Sequence, residues 1–99
     1  MYEKHKDVQL DVLFDAVLCL KSREECYKFF DDLCTAQELK ALTQRMLVAR
    51  MLDNQCVYNE IVSQTGASTA TISRVNRSLL YGSNGYRMVF DRLGKGTRK

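Results

Sequence analysis

Apolar side chains recur every third or fourth residue along most of this chain, and no proline interrupts them. That spacing stacks apolar groups on one face of an α-helix, whereas a half-buried strand would need strict alternation. Leu10, Leu13, Phe14, Val17 and Leu18 form the first stripe and predict a helix from Val8 to Leu20. Ser22 and Glu25 have the spacing of a capping box, and Cys26, Phe29, Phe30 and Leu33 continue as the face of a second helix. Thr35 and Glu38 repeat the device before a third helix, about Ala36 to Leu52. Its stripe of Leu39, Leu42, Met46, Ala49 and Leu52 is widened by Val48 and Met51, which predicts burial on more than one side.

The polar run Asp53, Asn54, Gln55 ends that helix. A short helix containing Tyr58, Asn59, Glu60, Ile61 and Val62 then stops at Gly66, the residue type suited to a left-handed conformation after a helix. Ser68 caps a fifth helix from Thr69 to about Leu80, with Ile72, Val75 and Leu79 inward and Gly82 at its end. Ser83 or Asn84 caps a last helix faced by Tyr86, Val89, Phe90 and Leu93. The expectation is an all-α fold of six helices in one domain, residues 1–99, with a basic tail at 94–99.

A 99-residue chain buries only about 60 to 65% of its unfolded surface, so its own core is marginal and dimerisation is one remedy. No apolar run approaches the roughly 20 residues of a membrane span, and Met1 to Leu10 is too polar for a signal peptide, so a cytoplasmic protein with no membrane partner is expected. Cys19, Cys26, Cys34 and Cys56 contain no C-x-x-C pair, and His5 stands alone, so neither a zinc site nor a disulfide framework is implied. The cysteines read as reduced, buried, small hydrophobes, with a redox role for one of them as the alternative. Scattered carboxylates and one terminal histidine do not make a convergent acid–base set, so no enzyme is expected and no cofactor is called for.

The net charge of +3 hides an asymmetry. Residues 1–55 carry eight Lys/Arg against ten Asp/Glu, while residues 56–99 carry seven against two. A basic half joined to a slightly acidic half suits a chain that sets one side against phosphate. That half also holds the segment from Tyr58 to Arg77, laid out as short helix, glycine turn, small capping residue and second helix, which is the pattern of a helix-turn-helix.

Ile61, Ala67, Ile72 and Val75 are placed to form the small core between the two helices. Thr69, Ala70, Thr71, Ser73 and Arg74 then lie on or near the opposite face. Ser and Thr compete with the backbone for hydrogen bonds and are seldom this dense in a helix, so the run Ser68, Thr69, Thr71, Ser73 points to a use for the hydroxyls. Small side chains let the helix enter a groove, hydroxyls reach phosphates or base edges, and methyls meet thymine methyls. The candidate double-stranded DNA contacts are Tyr58, Asn59, Ser68, Thr69, Ala70, Thr71, Ser73, Arg74 and Arg77.

The run from Thr35 through Leu79 resembles the tryptophan-repressor family, and more closely its TrpR-like YerC/YecD branch. The resemblance is carried by Thr35-x-x-Glu38, Gln44-Arg45 and above all Gly66-Ala-x-x-Ala-Thr-Ile-Ser-Arg74-x-x-x-Ser78-Leu79. It implies an intertwined homodimer. Residues 1–55 and 83–93 are then dimerisation helices, and residues 56–82 form a helix-turn-helix head. Two-fold symmetry sets the two heads about one helical turn of DNA apart, roughly 34 Å, on a palindromic operator.

The family also implies an amino-acid corepressor flanked by two arginines, matched here by Arg45 and Arg74, with Thr35 and Ser78 at the ligand's polar ends. Arginine planes stack on rings and pair with carboxylates, which suits such a ligand. Val75 stands where tryptophan-binding members carry glycine, so tryptophan is a doubtful ligand and a smaller effector or a closed pocket is expected. Read without the resemblance, the alternative for Arg45 is an intrahelical ion pair, for instance with Glu38 or Asp53 where the helix geometry allows, and for Arg74 a phosphate contact. The competing function is a protein-interaction module that uses the same scaffold without specific DNA binding.

Overall fold

The computed structural model describes residues 7–94. His5 and residues 95–99 of the basic tail lie outside them. Among the described residues there are six helices and no strand: α1 (Val8–Leu18), α2 (Arg23–Leu33), α3 (Ala36–Asp53), α4 (Tyr58–Thr65), α5 (Thr69–Tyr81) and α6 (Gly85–Leu93). The chain divides into two compact units, one up to Lys40 and one from Ala41 on.

The N-terminal unit is built by its caps. Asp7 accepts from the Leu10 amide at 2.6 Å to start α1. The Ser22 box closes in both directions: Ser22 Oγ accepts from Glu25 N–H at 3.1 Å, and Glu25 Oε1 accepts from Lys21 N–H at 2.8 Å. Thr35 and Glu38 form the reciprocal box itself: Thr35 Oγ1 accepts from Glu38 N–H at 3.1 Å, and Glu38 Oε1 accepts from Thr35 N–H at 2.9 Å. Helix α1 ends at Leu18 rather than Leu20, because Cys19 and Leu20 donate to carbonyls three residues back and tighten the last turn. Neither α1 nor α2 has a buried residue. Val8, Val12, Phe14, Leu18, Tyr27 and Leu33 are all exposed.

The C-terminal unit holds the core. Val48 and Ala49 from α3, Ile61 from α4, Ala67 from the following turn, Ile72, Val75 and Leu79 from α5 and Phe90 from α6 are buried together. On α3 the expected stripe is therefore only partly right. Val48 and Ala49 are fully buried, Met46, Met51 and Leu52 pack against the cluster from its edge, and Leu42 is 43% exposed. On α6 only Phe90 of the expected stripe is sealed, and Val89 and Leu93 remain exposed. The Phe90 ring stacks with Tyr86 at a centroid distance of 6.1 Å and carries the Arg50 guanidinium 4.9 Å from its centroid.

Two boundaries were hidden from sequence. Helix α3 runs one residue further, to Asp53, and closes by Gln55 N–H to Leu52 O and Cys56 N–H to Met51 O, with Gln55 at φ 66°. Those two bonds around a left-handed residue make a Schellman ending, here on a glutamine where glycine is usual. At the start of α6, Asn84 occupies the cap position with φ 69° and makes no side-chain capping bond, so neither Ser83 nor Asn84 caps as expected. Gly82 is needed for space: a Cβ there would run into the Ser78 carbonyl.

The cysteines differ from the expected buried hydrophobes. None of the four is in a disulfide, Cys19 is exposed at the end of α1, and the other three are only partly buried. Among the described residues no helix is long and apolar enough to cross a membrane.

Candidate nucleic-acid interface

The α4–α5 pair is assembled from a sealed inner face and an open outer one. Ile61, Ala67, Ile72 and Val75 are at most 2% exposed and join the two helices, as their spacing predicts. The turn between them needs Gly66 at φ 74°, where a side chain would be strained although the surrounding space is empty. Gly66 N–H caps the Val62 carbonyl at 2.9 Å. Thr65 Oγ1 donates to Ile61 O at 2.7 Å and accepts from Ala67 N–H at 3.1 Å. From α3, Gln44 Nε2 donates to Thr65 O at 3.2 Å.

Ser68 then starts α5 as its sequence position predicts, its Oγ accepting from Thr71 N–H at 3.1 Å. The same hydroxyl lies 3.1 Å from Thr71 Oγ1. Thr71 is itself partly buried, so it is less available to the outer face than its sequence position suggests. The remaining outward residues are open: Thr69, Ala70, Ser73, Arg74 and Arg77 are exposed. They fall at i, i+1, i+4, i+5 and i+8 along α5, which is one face of a helix opposite Ile72, Val75 and Leu79. Among the described residues neither Arg74 nor Arg77 forms an ion pair, so their charges face solvent unneutralised. At the start of α4, Asn59 is exposed, while Tyr58 is partly buried and packs against the core.

The four effector candidates are placed as follows. Thr35 is engaged in the capping box of α3. Arg74 and Ser78 are exposed one helical turn apart on α5, and Arg45 is exposed on α3. The alternative for Arg45, an ion pair with Glu38 or Asp53, does not form among the described residues. Glu38 is committed to the Thr35 amide, and Asp53 takes Arg87 of α6 at 3.3 Å. Val75 lies inside the core between α4 and α5 at 2% exposure. The groove of about 280 Å³ in the N-terminal unit is lined by Cys19, Leu20, Glu25, Lys28, Phe29 and Asp32, none of them an effector candidate.

Two contributors carry no clear signal in sequence. Gln44 anchors the turn across 21 residues, and Thr65 satisfies two backbone groups at once. Cys56 is also set apart. Its thiol is pushed above the ordinary cysteine range, first by burial and then by the charge and hydrogen bond of Glu60.

Comparison with known proteins agrees with this architecture. Residues 8–94 match the family model described as Trp repressor protein. The uncharacterized protein YerC of Bacillus subtilis (strain 168) is 54% identical over 91 residues, covering 92% of this chain and 88% of YerC. A crystal structure from Staphylococcus aureus, provisionally described as a Trp repressor, superposes with a TM-score of 0.87 at 54% identity, covering 92% of this chain and 91% of that one. A TrpR-like protein from Eubacterium eligens ATCC 27750 gives a TM-score of 0.89 at 53% identity, covering 93% and 95%. With a matching family model over 87 consecutive residues and the helix order of its solved relatives, the chain belongs to the Trp repressor protein family.

Proposed function

We propose that this chain is a cytoplasmic transcriptional repressor that binds a palindromic duplex operator as a homodimer, using α4, the Gly66 turn and α5 as a helix-turn-helix. The observation that carries the reading is the outer face of α5. Thr69, Ala70, Ser73, Arg74 and Arg77 stand exposed on one side, backed by a helix whose other side is sealed at Ile72 and Val75. Small hydroxyl and methyl groups at the helix start suit close approach to base edges, and two unpaired arginines further along suit phosphate oxygens. Asn59, Tyr58 and Ser68 flank that face, and Thr71 contributes through the cap.

The homodimer is supported by the N-terminal unit, where α1 and α2 bury nothing while presenting Phe14, Leu18, Tyr27 and Leu33 to solvent. Apolar faces of that extent mark an interface, and a second copy covers them in the same stroke that supplies the second reading helix. The proposal includes an amino-acid-like effector at Thr35, Arg45, Arg74 and Ser78. Val75 argues for one smaller than tryptophan.

The test is selection of the purified protein against random duplex DNA at two salt concentrations, with and without a panel of amino acids. An enriched palindrome with affinity that falls steeply with salt supports the reading, since phosphate neutralisation releases counterions. Enrichment only with one amino acid identifies the effector. Absence of enrichment, with salt-indifferent behaviour toward DNA, overturns the reading in favour of the protein-interaction module.

A further inference from the structure

We propose that Gln44 is a positioning residue for the reading helix: by holding the Thr65 carbonyl it clamps the α4–α5 turn to α3 and sets the direction in which α5 leaves it. The proposal rests on the DNA-reading role assigned to α5.

The last carbonyls of a helix have no partner within it and must be satisfied from outside. Gly66 N–H takes the Val62 carbonyl from within the turn. The Thr65 carbonyl, at the last residue of α4, is instead taken by Gln44 Nε2 of α3 at 3.2 Å, in a partly buried position. The same Thr65 accepts the Ala67 amide on its hydroxyl and donates that hydroxyl to Ile61 O. Ala67 is 2% exposed and is followed directly by Ser68, the cap of α5. A short chain of bonds thus runs from the middle of α3, through Thr65, to the first residue ordering α5. The apolar core fixes the separation of α4 and α5 but is non-directional. A hydrogen bond has a preferred direction at the carbonyl, so Gln44 adds the angular constraint that packing lacks. Directional readout of base edges depends on such angles, whereas attraction to phosphate does not.

The test compares the full chain with Gln44→Met and Gln44→Glu. Met keeps length and removes the donor, and Glu keeps the shape while setting an acceptor against the Thr65 carbonyl. Two readouts are taken on protein shown by circular dichroism to be folded: amide hydrogen exchange at Gly66 and Ala67 in the free protein, and the ratio of affinities for the selected and a scrambled duplex. The expected exchange order is wild type slowest, Met faster by roughly three- to tenfold, the span of one neutral hydrogen bond, and Glu fastest. The affinity ratio falls by a similar factor, with scrambled-duplex binding by the Met variant unchanged. A packing role alone predicts Glu equal to wild type, because the two are isosteric. Unchanged exchange in both variants overturns the clamp, whatever happens to DNA binding. Faster exchange with an unchanged affinity ratio overturns the positioning role. A wild type with no preferred duplex removes the proposed reading function and the positioning role with it, while the exchange order still reports whether Gln44 holds the turn.

Discussion

Arg87 of α6 reaches Asp53 at the last turn of α3 with Nη1 3.3 Å from Oδ1, and the two side chains are unequally covered, 44% exposed for the arginine and 8% for the aspartate. The bond ties the helix that follows the α4–α5 pair to the helix that precedes it. Because the aspartate is almost enclosed, loss of its partner leaves a buried charge short of one contact. We expect Arg87→Met to lower stability by about 1 to 2 kcal/mol, between the small value of surface pairs and the larger penalty for an orphaned buried charge. Urea denaturation checks this, and a change under 0.3 kcal/mol would sink it.

The outer face of α5 makes a two-part prediction. Ser73→Glu sets a negative charge on the exposed face proposed to enter the groove and should abolish selected-duplex binding, while the circular dichroism spectrum stays that of the parent. Arg77→Ala should weaken binding to selected and scrambled duplexes alike and lower the slope of log affinity against log salt by about one per head. If Ser73→Glu binds as the wild type does, α5 is not the reader.

The two units should answer differently to truncation. Ile72 is fully buried between α4 and α5, and Ile72→Ala should cost roughly 2 to 5 kcal/mol. Phe14 is 50% exposed on α1, which, like α2, has no buried residue. With the proposed homodimer interface on α1, Phe14→Glu should shift sedimentation from dimer to monomer, because a charge replaces an apolar group of that interface. A dimer unaffected by that change would remove α1 from the interface.

Thiol chemistry gives a pH-dependent prediction. The Cys56 thiol is raised by burial and by Glu60, so at a given pH less of it is the reactive thiolate. Cys56 should be alkylated more slowly than exposed Cys19 at pH 8, and its rate should go on rising at higher pH. Glu60→Gln removes the charge that disfavours thiolate and should speed Cys56 without altering Cys19. Equal rates at the two cysteines would contradict the assigned environment.

The local rules of helix building were legible from the chain alone. Ser22 with Glu25, Thr35 with Glu38, and Ser68 before α5 each act as the caps their spacing announces, because capping joins residues three apart and needs no distant partner. Ile61, Ala67, Ile72 and Val75 became core for a similar reason: a helical stripe presents one face, and the turn at Gly66 folds two such faces together. The residues of the outer face follow by subtraction.

Distant partners were decided only by tertiary structure. Sequence spacing offered Glu38 or Asp53 to Arg45, yet Asp53 meets Arg87 from 34 residues away and Glu38 serves a cap. The helical stripe of α3 named both Leu42 and Ala49, with Val48 widening it; packing buries Val48 and Ala49 in the cluster with residues of α5 and α6 and leaves Leu42 exposed. Gln55 ends α3 in a left-handed conformation that its residue type does not advertise, and Gln44 finds a carbonyl 21 residues on. Periodicity reports which face of an element is apolar, since that depends on near neighbours; which element comes to lie against that face, and which polar group is within 3.5 Å when it does, depends on how the helices pack, and that is a property of the whole chain.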